Sequence, residues 1–128
     1  MIDLTHGHQP IVDKRGVIVD LAYDTQINAV THLFSVAGAQ RANHYHNFTE
    51  QFNLITIGSL VLAPRPDFDS DITYTHFSTN SFFKIEQQEH HGMYFLEDTN
   101  LVVMTIGPRC GKDYESDTVR LDSSLFNI

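Results

Sequence analysis

The sequence predicts an all-β sandwich or barrel, and two observations carry that reading. Roughly nine or ten short apolar or alternating runs follow one another at close spacing, punctuated by Gly, Pro, Asn and Asp. No segment sustains the 3.6-residue apolar period that an amphipathic helix needs to present one face to a core. At 128 residues, 41% of them hydrophobic and 19% charged, the chain is one globular domain's worth, expected to run from 1 to 128 with no linker or internal repeat.

Residues 1–10 are polar and end at Pro10, which reads as a flexible or edge segment. His6 and His8 in it read as solvated rather than metal-binding. Ile11-Val12 and Val17-Ile18-Val19 flank the turn Asp13-Lys14-Arg15-Gly16, a hairpin of β-branched strands. Ala29–Val36 alternates, with Val30, His32 and Phe34 on one face and Thr31, Leu33 and Ser35 on the other. Strands are expected at 41–46 and 51–57, joined by the turn Asn47-Phe48-Thr49. In the second, counting from Gln51 selects Asn53, Ile55 and Ile57 for one face, and counting from Glu50 selects Phe52, Leu54 and Thr56. A one-residue slip reverses every side chain, and periodicity leaves both registers open. Gly58 turns into Ser59–Ala63, and the loop Pro64–Asp71 follows. Further strands are expected at 72–78, 81–85, 93–96 and 101–106, with Glu97–Asn100 as a hairpin loop. From Gly107 onward the chain reads as a polar, turn-rich tail.

Composition excludes several classes. A formal net charge of −8 does not suit a nucleic-acid surface, which needs clustered Lys and Arg against phosphates. No apolar run approaches the ~20 residues of a membrane span, and the N-terminus lacks a charged-then-apolar secretory pattern, so no membrane contact is expected. The single Cys110 allows no internal disulfide, which suits a cytoplasmic location, and with no His near it in sequence it is not expected as a nucleophile. A few cations lining one pocket would still serve an anionic small molecule, and Lys14, Arg15, Arg41, Arg65 and Lys84 are the candidates.

The chemistry concentrates between Gly38 and Ser59. Residues two apart on a strand share a face, so His44 and His46 present two imidazoles side by side with Tyr45 opposite. Such a pair can share a divalent metal or move protons near neutral pH. With 8 His in the chain, composition alone gives roughly half of one such pair by chance, so the flanking residues must carry the specificity. The spacing Gly38-x5-His44-x-His46-x4-Gln51-x6-Gly58 resembles the first motif of the cupin superfamily. Metal-binding cupins have Glu where Gln51 falls, and Glu50 meets that position only with a turn one residue shorter. Glu89-His90-His91-Gly92 lies where a second cupin motif supplies one more His, without the usual Pro-x-Gly before it. His91 fits the spacing, and His90 is expected as a solvated surface imidazole.

Arg41-Ala42-Asn43-His44-Tyr45-His46 narrows the match. An Arg-Gly-x-His-x-His-x4-Gln pattern is similar to sugar-nucleotide 3,4-ketoisomerases acting on dTDP-4-keto-6-deoxyhexoses. An Arg-Gly-Asn-His-Tyr-His pattern is similar to the cupin domain of capsular-polysaccharide epimerase/reductases. Ala42 stands where these carry Gly, and His32 stands roughly where the ketoisomerases carry a pocket Tyr. The resemblance implies an all-β cupin jelly roll, an RmlC-like double-stranded β-helix barrel, assembled as a homodimer through an edge such as 29–36. It implies a nucleotide-sugar isomerase in which His44 or His46 moves a proton beside a ketone through an enediol, without a cofactor. Arg41 would hold the enediolate or a diphosphate, and reaches the site only through a bend at Ala42, since an ideal strand puts it opposite His44. His32, Gln51 and His91 would complete substrate binding. Two readings from other classes stand beside it. One is a metallocupin, a small-molecule dioxygenase, lyase or metal-dependent epimerase, with Fe, Mn, Ni or Zn on His44, His46, His91 and Glu50 or Gln51. The other is a non-catalytic sugar-binding cupin.

Overall fold

A computed structural model describes residues 1–127, without the side chains of residues 8 and 9; the reading of His8 as solvated lies outside the described residues. Twelve strands and one short helix follow in order: β1 (Ile2–Asp3), β2 (His8–Asp13), β3 (Gly16–Asp20), β4 (Ala29–Ser35), β5 (Gln40–His46), β6 (Glu50–Ile57), β7 (Ser59–Arg65), β8 (Thr75–Ser78), β9 (Phe82–Ile85), β10 (His90–Phe95), β11 (Thr99–Ile106), α1 (Gly111–Asp117) and β12 (Thr118–Arg120). They form two antiparallel five-stranded sheets, ordered β1-β9-β6-β11-β4 and β12-β5-β10-β7-β8, and a separate β2-β3 hairpin. Consecutive strands repeatedly fall in opposite sheets, so the chain wraps back and forth across one core.

That core follows from period-2 alternation. Along β11 the buried residues are Thr99, Leu101, Val103 and Thr105, every second one. With Ile55, Leu60, Leu62, Phe77, Phe83, Ile85, Met93 and Phe95 they fill the space between the sheets. Antiparallel pairing of Leu101 with Ile55 and of Val103 with Asn53 fixes the register of β6. Gln51, Asn53 and Ile55 are therefore the inward set, while Glu50 lies outside against Lys84 at 2.7 Å. Of the two registers left open, the one counted from Gln51 is formed as far as Ile55; Ile57, expected on the same face, is exposed, beyond an irregularity in the pairing at Asn100 and Leu101. Gly58 explains the end of the motif: its φ is +115°, and a Cβ there would lie 2.3 Å from the Thr99 hydroxyl.

The tail is where expectation and structure differ. Residues 111–117 form a helix only seven residues long, too short to show an apolar period. Beyond it, β12 pairs with β5, and Leu125 and Phe126 bury against Ala63 on the outer side of that sheet. The N-terminus is an edge segment, with β1 paired to β9 and the Met1 ammonium ion-paired to Glu89.

Candidate active site between the two sheets

A cavity of about 180 Å³ lies between the sheets above the apolar core, its walls including Met93, Leu101 and Val103. One wall comes from β5 and β10, whose pairing sets His44 opposite His91. The rings of His44 and His46 lie 4.6 Å apart, those of His44 and His91 4.7 Å, and those of His46 and His91 5.6 Å. His44 and His91 line the cavity, and His46, 1% exposed, sits behind them.

The tautomers follow from the partners. His91 Nδ1 lies 3.0 Å from the Glu89 carbonyl, which can only accept, so Nδ1 carries the proton and Nε2 a lone pair. The Thr118 hydroxyl donates to the Tyr114 carbonyl, so at its 3.2 Å contact with His46 it must accept from Nδ1. His46 Nε2 is then also a bare lone pair, buried and without a hydrogen-bond partner. Asp117, 4% exposed, sits 3.9 Å from His46 Nδ1 and accepts hydrogen bonds from the Phe48 amide and the Thr49 hydroxyl.

Burial disfavours charging these rings. It pushes His44 down to about 2, with His91, His46 and Arg120 adding to the effect. It pushes His91 down to about 4, outweighing the Glu89 hydrogen bond that raises it. It also lowers His46, against the opposing charge of Asp117. At neutral pH the site thus holds three uncharged imidazoles, whose lone pairs can bind a metal; the burial that keeps them uncharged also makes them weak bases until an anion in the cavity offsets it.

The lowered His91 pKa has a consequence for stability. Between about 4 and the ordinary 6.5 the unfolded chain binds a proton that the folded chain excludes. Stability should therefore be flat above pH 6.5 and fall as the pH drops from there towards 4. This one proton contributes a slope of up to about 1.4 kcal/mol per pH unit, and His44 and His46 steepen it. Urea midpoints at pH 7, 6 and 5 check this, and a midpoint unchanged from pH 7 to pH 5 would contradict it.

No family model matches the chain, and no curated protein matches it in sequence. Solved structures do match. QdtA, a sugar 3,4-ketoisomerase from Thermoanaerobacterium thermosaccharolyticum in complex with TDP, superposes with a TM-score of 0.70 at 17% identity, covering 89% of this chain and 84% of that one. The dTDP-4-dehydrorhamnose 3,5-epimerase of Sulfolobus tokodaii gives 0.71 at 14% identity, over 94% and 77%. CapF, a capsular polysaccharide assembling protein of Staphylococcus aureus, gives 0.66 at 20% identity, covering 89% of this chain and 34% of its own. The fold is a cupin jelly roll. The chain spans about a third of the length of CapF and most of the two smaller proteins.

Within the cupin, Arg41 reaches the cavity. Ala42 and Asn43 both have positive φ, +67° and +54°, and one extra residue on β5 faces the step between His91 and Gly92. The bulge changes the parity of the strand, so residues 41 and 44 come to the same side. Nε of Arg41 then donates to Ser35 Oγ at 2.7 Å, and Nη2 to the Phe34 carbonyl at 3.2 Å. Ala42 carries left-handed strain that Gly would not. Gly92 has no room for a Cβ, which would fall 2.6 Å from Asn43 Oδ1.

Gln51 also lines the cavity, as expected. His32 does not. It lies on the exposed face of β4, with Nε2 3.1 Å from Asn100 Oδ1, because its neighbours Thr31 and Leu33 are the inward pair. His90 is not a solvated imidazole: the loop after β7 folds over it, leaving it 3% exposed. It stacks on Tyr45 at 4.8 Å, meets Phe68, and accepts from Arg65 Nε at 3.1 Å. Arg15 pairs with Asp13 on the hairpin and Lys84 with Glu50, so of the five cations expected, Arg41 is the one on the cavity.

Four functional candidates escaped the sequence reading: Arg109, Tyr114, Asp117 and Thr118. All lie in the segment read as a polar tail. Arg109 and Tyr114 line the cavity, with the guanidinium 4.5 Å from the centre of the Tyr114 ring. Among the described residues no carboxylate pairs with either Arg41 or Arg109, although the chain is strongly acidic. The residues that could hold a metal are His44, His46 and His91, whose ring nitrogens lie within 4.8 Å of one another. The unpartnered Nε2 of His46 fits such a role. No carboxylate joins them, since Glu50 is outside and the inward position carries the amide of Gln51.

Proposed function

We propose that this cupin is a sugar-nucleotide isomerase or epimerase, moving a proton beside the ketone of a nucleotide-linked 4-keto-6-deoxy sugar. The observation that supports it most is the content of the cavity: uncharged imidazoles on one wall, and two guanidiniums with no carboxylate partner. Abstracting a proton beside a ketone needs a neutral base and a positive field for the enediolate oxygen. An acidic chain that, among the described residues, sets two guanidiniums on a cavity with no carboxylate against them suits that cavity to an anion. At about 180 Å³ the space is small beside the ~300–1,000 Å³ typical of sites for drug-sized ligands. It takes one ring, and leaves the nucleotide over the rim. Two structural neighbours, the sugar 3,4-ketoisomerase QdtA and the dTDP-4-dehydrorhamnose 3,5-epimerase of Sulfolobus tokodaii, are named for this class of substrate.

In this reading His44 takes the proton from the carbon next to the ketone, and the electron pair moves onto the ketone oxygen, where Arg41 faces it. Moving the proton to the former carbonyl carbon, while the hydroxyl proton of the first carbon passes to the former ketone oxygen, completes an isomerisation; returning a proton to the same carbon from the other side completes an epimerisation. His46 acts from behind, held by Thr118 and Asp117. Calorimetric titration with dTDP, UDP and GDP tests the anion site: we expect one of them to bind and Arg41→Ala to weaken it by about 10-fold or more. Equal, negligible heats with all three would contradict the reading.

The His cluster favours a second reading, in which His44, His46 and His91 hold a divalent transition metal. Such an ion would supply Lewis acidity towards a carbonyl oxygen. We expect no stoichiometric metal, because the fourth position carries an amide rather than a carboxylate. Elemental analysis decides: near-stoichiometric Fe, Mn, Ni or Zn, lost in His44→Ala, would establish the metallocupin.

We also propose a homodimer. Ile11, Val12, Val17 and Ile18 on the hairpin are 60–69% exposed, and β4 is an open sheet edge with Val30 and Phe34 in water. Apolar arms and edges of this kind call for a cover, and a second copy supplies both. Light scattering at micromolar concentration should give twice the chain mass; monomer alone would remove the proposal.

A further inference from the structure

Opposite the imidazole wall, β6 and β11 carry a polar feature that the proton-transfer scheme does not use. Asn53 lines the cavity and is 1% exposed. Its Nδ2 donates to the Gln51 carbonyl at 3.4 Å, which fixes the orientation of the amide and leaves Oδ1 as the other end. Oδ1 is buried and has no hydrogen-bond partner, and the same holds for Thr105 Oγ1, inward on the adjacent strand. Asn53 pairs across the sheet with Val103 and Thr105 with Gln51, so the two unsatisfied oxygens lie on neighbouring strands one step apart. A buried acceptor left unpaired costs more than an apolar residue of the same shape. The surroundings offer such residues: Leu33, Met93, Leu101 and Val103 form the rest of this end of the cavity. With Nδ2 already donating to Gln51, the Oδ1 end, unpartnered among the described residues, is satisfied when a donor arrives from outside the protein.

We propose that Asn53 Oδ1 is a specificity-determining acceptor, which receives a hydroxyl hydrogen of the sugar ring and sets the ring's orientation against the His44–His91 wall. An acceptor there selects a substrate with an O–H at that position and disfavours one with a second carbonyl, whose oxygen would face Oδ1 with no hydrogen between them. The Leu33, Leu101 and Val103 side chains leave an apolar surface beside it, suited to the methyl of a 6-deoxy sugar. The inference rests on the sugar-nucleotide reading of the site and adds to it the way the ring is held.

The test compares the unmodified protein with Asn53→Leu, which keeps the volume and removes the acceptor. Calorimetry is run with dTDP, with dTDP-6-deoxyglucose, and with its 2-deoxy and 3-deoxy analogues. In the unmodified protein one deoxy analogue should bind about 10- to 100-fold more weakly than the parent. In Asn53→Leu that difference should vanish, while dTDP alone binds as before. A variant that still discriminates the analogues, or that weakens dTDP and every sugar alike, would overturn the proposal. So would an unmodified protein that binds the parent and both analogues equally; Oδ1 would then hold an ordered water only. If dTDP and all the dTDP-sugars fail to bind, the nucleotide reading fails, and the ring subsite is read separately with methyl 6-deoxyglucoside. Saturation transfer to that glycoside, abolished in Asn53→Leu, would uphold the acceptor role without the nucleotide; no transfer would overturn it. Thr105→Val, with its fold checked by circular dichroism, is the matching variant on β11. It should weaken the parent sugar less than Asn53→Leu does, since Thr105 stands one step from the cavity lining, and a larger loss than that of Asn53→Leu would overturn the assignment of Oδ1 as the principal acceptor.

Discussion

Substituting His44 by Asn is expected to lower the isomerisation rate by about 10²- to 10⁴-fold with the fold intact, the range typical of losing a general base. Asn keeps a polar side chain of similar reach but cannot take up a proton. His44 is the member of the pair that faces the cavity, so it bears the larger effect. His46→Asn is expected to cost less, because His46 is buried behind His44 rather than on the cavity wall. Arg41→Ala leaves the base in place and should show mainly in substrate affinity. Initial rates with each variant, at saturating and at limiting substrate, separate these outcomes. An unchanged rate in a His44→Asn/His46→Asn double variant would remove both residues from the chemistry.

A second large effect is expected at Asp117. Its buried carboxylate accepts from the Phe48 amide and the Thr49 hydroxyl and stands beside His46. Asp117→Ala leaves those donors facing a void, at a cost of about 2–4 kcal/mol by the usual penalty for buried unpaired groups. It also frees the turn that sets β5 against β6, so the rate should fall together with stability. Asp117→Asn retains one acceptor and should lose about half as much stability. Urea denaturation of the two variants checks the order, and an Asp117→Ala protein as stable as the parent would show that this carboxylate does not hold the turn.

How far the sequence reached can be followed residue by residue. Alternation in 29–36, Gly58 at a forced turn, and the His-x-His pair on one face are all properties of a regular strand, whereas the start of β11 at Thr99 falls inside the expected hairpin loop. They were legible because a strand's period is insensitive to what packs on it. Arg41 was legible only as a condition: parity put it opposite His44, and a bulge at 42–43, which no periodicity encodes, brought it round. His32 was misplaced because alignment by resemblance ignored the inward-outward pattern that its own neighbours spelled out. The burial of His90 by a distant loop, here the one carrying Phe68, leaves no local trace in the sequence. The segment 109–118 was the real gap. A seven-residue helix shows no period, and Arg109, Tyr114, Asp117 and Thr118 in and around it are the composition of any exposed loop. Their convergence on His46 is a property of the closed fold alone.

The central claim is that this cavity moves a proton beside a sugar ketone. The measurement that tests it most directly is solvent deuterium incorporation, followed by proton NMR, when the unmodified protein is incubated in D₂O with dTDP-4-keto-6-deoxyglucose and its UDP and GDP counterparts. The account predicts loss of the proton signal at a carbon flanking the ketone with one of the three, above the rate without protein and abolished in His44→Asn/His46→Asn. No protein-dependent exchange with any of them would contradict it, and would leave a binding cupin in place of an enzyme.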